Sequence, residues 1–150
     1  SDGAYTAVGT YDHHEILAMV TRLSELTSIP VDDLVQTFGK HLLKRFTELY
    51  PSFFNEVDDT FTFLETIENH VHIEVLKLYP DAELPSFTVD QPDVKTLIMC
   101  YESSRPFAML AKGLIQGTAE HFNEKISIEM VDFSNGEGKH ARFELKKEAG

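Results

Sequence analysis

Thiols are nearly absent from this chain, with Cys100 the only cysteine among 150 residues. No intrachain disulfide can form, no cysteine-rich zinc site can assemble, and a reducing, cytoplasmic setting is expected. Positive charge is scarce as well: 13 bases stand against 25 acids, for a formal net charge of −12. Without a basic patch to meet phosphates, the charge argues against nucleic acid and anionic membrane surfaces as partners. No apolar run approaches the roughly 20 residues of a membrane span, and no basic segment followed by an apolar one opens the chain. Internal repeats and low-complexity tracts are missing too. What is present, 42% hydrophobic and 25% charged residues, is the composition of a single globular domain over residues 1–150. A chain of this length removes about 70% of its unfolded surface from water.

Ser1 to Tyr11 is polar and punctuated by glycine, which reads as a linker. From Asp12, a residue suited to an N-cap, Ile16, Leu17, Val20, Leu23 and Leu26 recur at spacings of three and four, which predicts an amphipathic helix. Thr27-Ser28-Ile29-Pro30 breaks it. Val31, Leu34, Val35, Phe38, Leu42, Phe46 and Leu49 predict a second helix, stopped near Tyr50-Pro51 because proline disfavours helical geometry in the residue before it. A third helix is expected from about Asp58 to Tyr79, with Phe61, Leu64, Ile67, Val71, Val75 and Leu78 on one side. At about 100° per residue, His72 falls roughly 80° from Leu64, beside Phe61 and Val75, whereas His70 falls about 120° away on the other side, toward solvent. The two histidines diverge on a helix and cannot chelate one metal together. A single inward histidine is compatible with plain packing or with ligation, and spacing does not choose between them.

After Pro80-Asp81-Ala82-Glu83-Leu84-Pro85 the pattern changes. Ser86 to Asp90 and Val94 to Tyr101 read as strands around a Gln91-Pro92-Asp93 turn. Ser103 or Ser104 is expected to cap a helix with Pro106 in its first turn and Phe107, Leu110, Ala111, Leu114, Thr118 and Phe122 facing inward. Ile126 to Phe133 and Lys139 to Leu145 read as a hairpin around Ser134 to Gly138. The fold class is therefore α+β: helices first, then a small antiparallel sheet with one helix inserted.

Tyr101-Glu102-Ser103-Ser104-Arg105 lies where a strand hands over to a helix. Two hydroxyls and a guanidinium at alternate positions can converge on an anion, and paired carboxylates suit the guanidinium fork. Alone, the stretch is equally an ordinary capped turn. With an inward histidine upstream it matches what haem requires, an axial imidazole for the iron and donors for two propionates.

The segments His70 to Val75, Lys77-Leu78-Tyr79-Pro80-Asp81-Ala82-Glu83-Leu84-Pro85, Tyr101-x-Ser103-x-Arg105 and Gly113-Leu114-Ile115-x-Gly117 occur here in one order and spacing. In these the chain resembles the haem-nitric oxide/oxygen binding (H-NOX) domains of bacterial sensors and of soluble guanylate cyclase. The resemblance implies haem b (iron protoporphyrin IX) as cofactor, His72 as the iron ligand, and Tyr101, Ser103 and Arg105 as the propionate clamp. It further implies that Pro85 presses on the porphyrin and that Phe46 and Leu114 line its pocket. Relatives that hold oxygen place a hydrogen-bonding tyrosine where this chain has Leu110, so the resemblance implies a nitric oxide sensor that excludes oxygen. Family behaviour implies that nitric oxide weakens the iron–histidine bond and lets the helix bearing His72 relax. The protein would then be no enzyme itself, and its output would pass to a separate histidine kinase or cyclic-nucleotide enzyme.

Members of the family normally begin with some three further helices, so the chain reads either as a fragment or as an N-terminally shortened variant, and in the second case an uncovered distal face would invite homodimers. The alternative function is a haem-free H-NOX-like module that binds a partner protein. A hydrolase finds little footing. No nucleophile stands beside a matching base, and His13, His14, His41, His121 and His140 are scattered.

Overall fold

A computed structural model describes residues 13–78, 80–81, 84–135 and 137–148. The expected linker, Ser1 to Tyr11, and the expected cap at Asp12 lie outside the described residues. Helix α1 spans His13–Thr27 and α2 spans Val31–Leu49. Between them Ser28 takes a left-handed φ of 61°, and its N–H donates to the Ser24 carbonyl at 2.8 Å, closing the end of α1. Pro30 then starts α2, whose first turn carries Asp32 and Asp33 at the positive end of the helix dipole. A short helix, α3 (Ser52–Asn55), buries Phe53 and Phe54.

The expected continuous helix from Asp58 to Tyr79 is three pieces. Helix α4 covers Thr60–Glu65, a π-turn covers Ile67–Val71, and α5 covers His72–Leu78. Tyr79 lies outside the described residues. Asp59 caps α4, its carboxylate accepting the Thr62 N–H at 2.8 Å. In the π-turn the His72 N–H reaches the Ile67 carbonyl, five residues back. Such wide turns inside helices are frequent at functional sites. A pattern read at a constant angle per residue does not show the interruption.

Strands β1 (Ser86–Asp93), β2 (Thr96–Glu102), β3 (Ile126–Asp132) and β4 (His140–Lys147) form an antiparallel sheet in the order β1-β2-β4-β3, and α6 (Ala108–His121) crosses between β2 and β3. The α+β class holds. The first hairpin turns at Val94 and Lys95 rather than at Gln91-Pro92-Asp93, because β1 carries Pro92 in a register shift between Asp90 and Asp93. An edge strand tolerates proline at such an irregularity. Ser103 and Ser104 do not cap α6. That helix begins at Ala108, with Phe107 at the N-cap position and no side-chain cap, and Pro106 lies before it.

Inner positions of the sheet pair Leu97 with Leu145, Met99 with Phe143 and Tyr101 with Ala141. All six are essentially buried, and with Ile115 of α6 they form the centre of the core. Each large apolar side chain so buried contributes about 1.5–3 kcal/mol. A second layer of rings, Phe46, Phe53, Phe54 and Phe63, packs at centroid distances of 4.5 to 5.9 Å. Helices α2 and α6 touch through glycines. A Cβ on Gly113 would overlap the Gln36 carbonyl, and one on Gly39 would overlap the Leu110 carbonyl. Among the described residues no helix is long and apolar enough to cross a membrane.

Candidate functional site

His72 opens α5 with its side chain 16% exposed, while His70, two residues earlier, is exposed and sets its ring 5.3 Å from Phe53. The divergence expected from the sequence is therefore present. Burial pushes the His72 imidazole below its ordinary value, and the nearby Glu68 carboxylate pulls it partly back. A neutral imidazole keeps a lone pair for a metal.

From His72 a line of rings leads across the sheet. The Phe87 ring lies 5.9 Å from the imidazole and 5.7 Å from the Tyr101 ring, and Phe87 faces Tyr101 across the β1–β2 ladder. Sequence patterning left Phe87 unmarked. Its inward position follows from strand alternation, but a short strand gives that signal little contrast. Pro85 is half-buried just before β1, two residues from Phe87.

Tyr101, Ser103 and Arg105 converge, though not on an extended segment. The Tyr101 hydroxyl donates to the Arg105 carbonyl at 3.0 Å, and the Arg105 N–H donates to the Ser103 hydroxyl at 3.0 Å. The segment is thus a closed turn. Two backbone groups of the loop between β3 and β4 secure it: the Lys139 carbonyl accepts the Ser103 N–H at 2.9 Å and the Gly138 carbonyl accepts the Ala108 N–H at 3.0 Å. Gly138 itself is left-handed at φ 71°. Asp132 shapes the loop by accepting the N–H groups of Ser134 and Gly138 at 2.7 and 2.9 Å. Burial pushes the Tyr101 hydroxyl up, while the Ser103 side chain, the Phe107 backbone and the Arg105 charge pull it back. Arg105 is 9% exposed.

The remaining predicted positions are more dispersed. Leu110 packs with Val35 and Phe107, and Leu114 borders both that group and the main core. Phe46 sits in the aromatic layer, 5.2 Å from both Tyr50 and Phe53. The structure thus joins His72 to the Tyr101–Arg105 turn through Phe87 and sets Phe46 among other rings.

The donor chemistry fits haem. A bare transition-metal ion takes about four ligands, and among the described residues no group of three or more His, Cys, Asp or Glu could hold one. One inward imidazole suits a metal whose other ligands come with a macrocycle, and two hydroxyls with a guanidinium suit its carboxylates.

Comparison with known proteins agrees. A family model described as Haem-NO-binding matches residues 1–130. The Fe(II) unliganded H-NOX protein from K. algicida is 36% identical with a TM-score of 0.88, over 95% of this chain and 76% of that one. The IWP-051-bound H-NOX from Shewanella woodyi is 41% identical with a TM-score of 0.79, over 95% and 75%. At 24% identity and a TM-score of 0.86, an H-NOX protein from S. oneidensis in the Fe(II)NO state shares the fold, over 95% and 79% of the two chains. No curated protein matches. With the family model spanning most of its length, and an inward histidine and hydroxyl–guanidinium turn of the right chemistry, the chain belongs to the Haem-NO-binding (H-NOX) family.

Proposed function

We propose that this protein is a non-catalytic, cytoplasmic gas sensor that holds haem b through His72 and responds to nitric oxide. The observation that carries the reading is one half-buried imidazole linked by the Phe87 ring to a turn presenting Tyr101, Ser103 and Arg105. Bound haem would supply a ferrous iron able to take a diatomic gas. His72 would be its protein ligand, kept neutral by burial, and the clamp residues would hold its propionates. Pro85, Phe46 and Leu114 would complete the surroundings.

Selection for nitric oxide rests on Leu110. It is 5% exposed and packed against Val35 and Phe107, so it offers an apolar wall. Bound dioxygen carries partial negative charge and gains from a hydrogen-bond donor, whereas nitric oxide needs one far less. A leucine at this position supports nitric oxide over oxygen.

His72 joins the π-turn to α5, so its state bears directly on the geometry of that junction. The π-turn and α5 are therefore the elements that would carry a two-state response. Ile73 and Leu76 of α5 are 48% and 41% exposed. They are the apolar side chains through which α5 would meet a separate signalling protein, a histidine kinase or a cyclic-nucleotide enzyme.

The test is a Soret spectrum of the protein expressed with haem, before and after nitric oxide. The proposal expects a Soret band that shifts with nitric oxide and is lost or displaced in His72→Ala. A colourless protein would sink it and leave the haem-free module. A His72→Ala spectrum identical to wild type would remove His72 as the ligand.

A further inference from the structure

Glu68 lies inside the π-turn, four residues before His72, and one of its carboxylate oxygens faces two groups at once. Its Oε1 accepts the main-chain N–H of Phe87 at 2.6 Å and lies 3.9 Å from His72 Nδ1. The first contact is a hydrogen bond. The second is longer than one and acts through charge. Phe87 is the residue whose ring stands between His72 and Tyr101, so a single carboxylate addresses both the imidazole and the strand that carries its ring neighbour.

A neutral imidazole bears one proton on one of two nitrogens. A negative oxygen on the Nδ1 side favours the tautomer protonated there and leaves the Nε2 lone pair free. We infer that Glu68 is a positioning residue for His72: it biases the imidazole proton to Nδ1 and, by holding the Phe87 N–H, ties the turn that carries His72 to the first strand. The use made of this orientation rests on His72 being the iron ligand, but the orientation itself is a property of the polypeptide. Because the Glu68 side chain is 42% exposed, water screens its charge, and the bias is modest.

Two substitutions separate the parts. Glu68→Gln keeps an acceptor for Phe87 and removes the charge, whereas Glu68→Ala removes both. In haem-free protein at about pH 8, where histidine is neutral, imidazole 15N shifts report the His72 tautomer and amide exchange of Phe87 reports the tie. Glu68→Gln is expected to move the tautomer ratio roughly threefold toward Nε2–H with Phe87 exchange near wild type. Glu68→Ala is expected to move the ratio as far and to speed Phe87 exchange about tenfold. An unchanged ratio in both variants overturns the positioning role, and unchanged Phe87 exchange in Glu68→Ala overturns the tie. In haem-loaded ferrous protein, Glu68→Gln should lower the iron–histidine stretching frequency in resonance Raman spectra, and an unchanged frequency counts against the positioning role. A protein that takes up no haem would defeat the proposed function, while the tautomer ratio would still decide the role of Glu68.

Discussion

Tyr101 donates its phenolic proton to the main-chain carbonyl of Arg105, 3.0 Å away in a buried setting, so the residue that begins the turn also closes it. The Arg105 carbonyl additionally accepts the Phe107 N–H at 2.9 Å and keeps a partner if the phenol is lost. Tyr101→Phe is therefore expected to cost only about 0.5–1.5 kcal/mol, read as a lower urea midpoint with an unchanged slope. If Tyr101 holds a haem propionate as proposed, haem retention should suffer more than stability, seen as faster transfer of haem to a competing apoprotein.

The loop that supports the Tyr101–Arg105 turn depends on Gly138. At φ 71° a side chain is strained, and a Cβ would come within 3.2 Å of the Pro106 carbonyl. Gly138→Ala should destabilise the protein by about 1–2 kcal/mol, measured by urea denaturation. Exchange of the Ser103 and Ala108 amides, which donate into this loop, should quicken.

Where α2 meets α6, Gly113→Ala forces a methyl group onto the Gln36 carbonyl. The resulting separation of the helices should cost about 1–3 kcal/mol, a loss larger than the gain in helix propensity of up to about 1 kcal/mol. Thermal denaturation of this variant beside Gly117→Ala makes the comparison. At Gly117 the new atom meets the Leu43 side chain at 3.0 Å, and a side chain can yield where backbone cannot.

Acid sensitivity is expected from the start of α4. Lys147 Nζ lies 3.5 Å from Asp59 Oδ2 and 3.4 Å from Glu124 Oε2, and Glu124 also accepts the Thr60 N–H at 2.8 Å. The hydrogen bond with Thr62, and after it the Lys147 charge, hold the Asp59 carboxyl below its ordinary 3.8, against the opposing effect of burial. Burial would raise Glu124, but Thr60 and Lys147 together hold it below its ordinary 4.5. Depressed carboxylates lend stability that is complete above the ordinary values and is lost as pH falls through the lower folded ones. Urea midpoints of wild type should therefore drop more steeply below about pH 4 than those of the Asp59→Asn, Glu124→Gln double variant.

The gas selectivity proposed for the chain can be tested at one position. If Leu110 provides the apolar wall proposed for it, Leu110→Tyr brings a phenolic donor to the site, and haem-loaded ferrous protein exposed to air should then form a stable oxygen complex. Rapid oxidation, with no oxygen spectrum, would argue that Leu110 does not face the gas.

Much of the fold is legible in the sequence because its signals are periodic. The apolar spacing of α2 places its bounds at Val31 and Leu49, and the inward turn of His72 against the outward turn of His70 follows from helical angles. Features made by backbone alone leave no such trace. The π-turn at Ile67–Val71 changes the angle per residue without any residue type announcing it. The carbonyls of Gly138 and Lys139 that fasten the Tyr101–Arg105 turn carry no side-chain signature, and Ser103 looks like a helix cap because its hydroxyl accepts a backbone N–H two residues on, as a cap would. Glu68 stands at a visible four-residue spacing from His72, a spacing shared by too many surface pairs to single it out.

The fastening of the clamp also sets an order of events. Ser103 and Ala108 are held by carbonyls some thirty residues further along the chain, so the clamp turn cannot be completed until the last hairpin has paired. The start of α4 depends on the same region, since Glu124 accepts the Thr60 N–H and Lys147 pairs with Asp59. The segment that leads to His72 and the turn that bears Arg105 therefore both rely on residues 124–147 for their support. If haem is held as proposed, its capture would be a late step, gated by the pairing of β3 and β4.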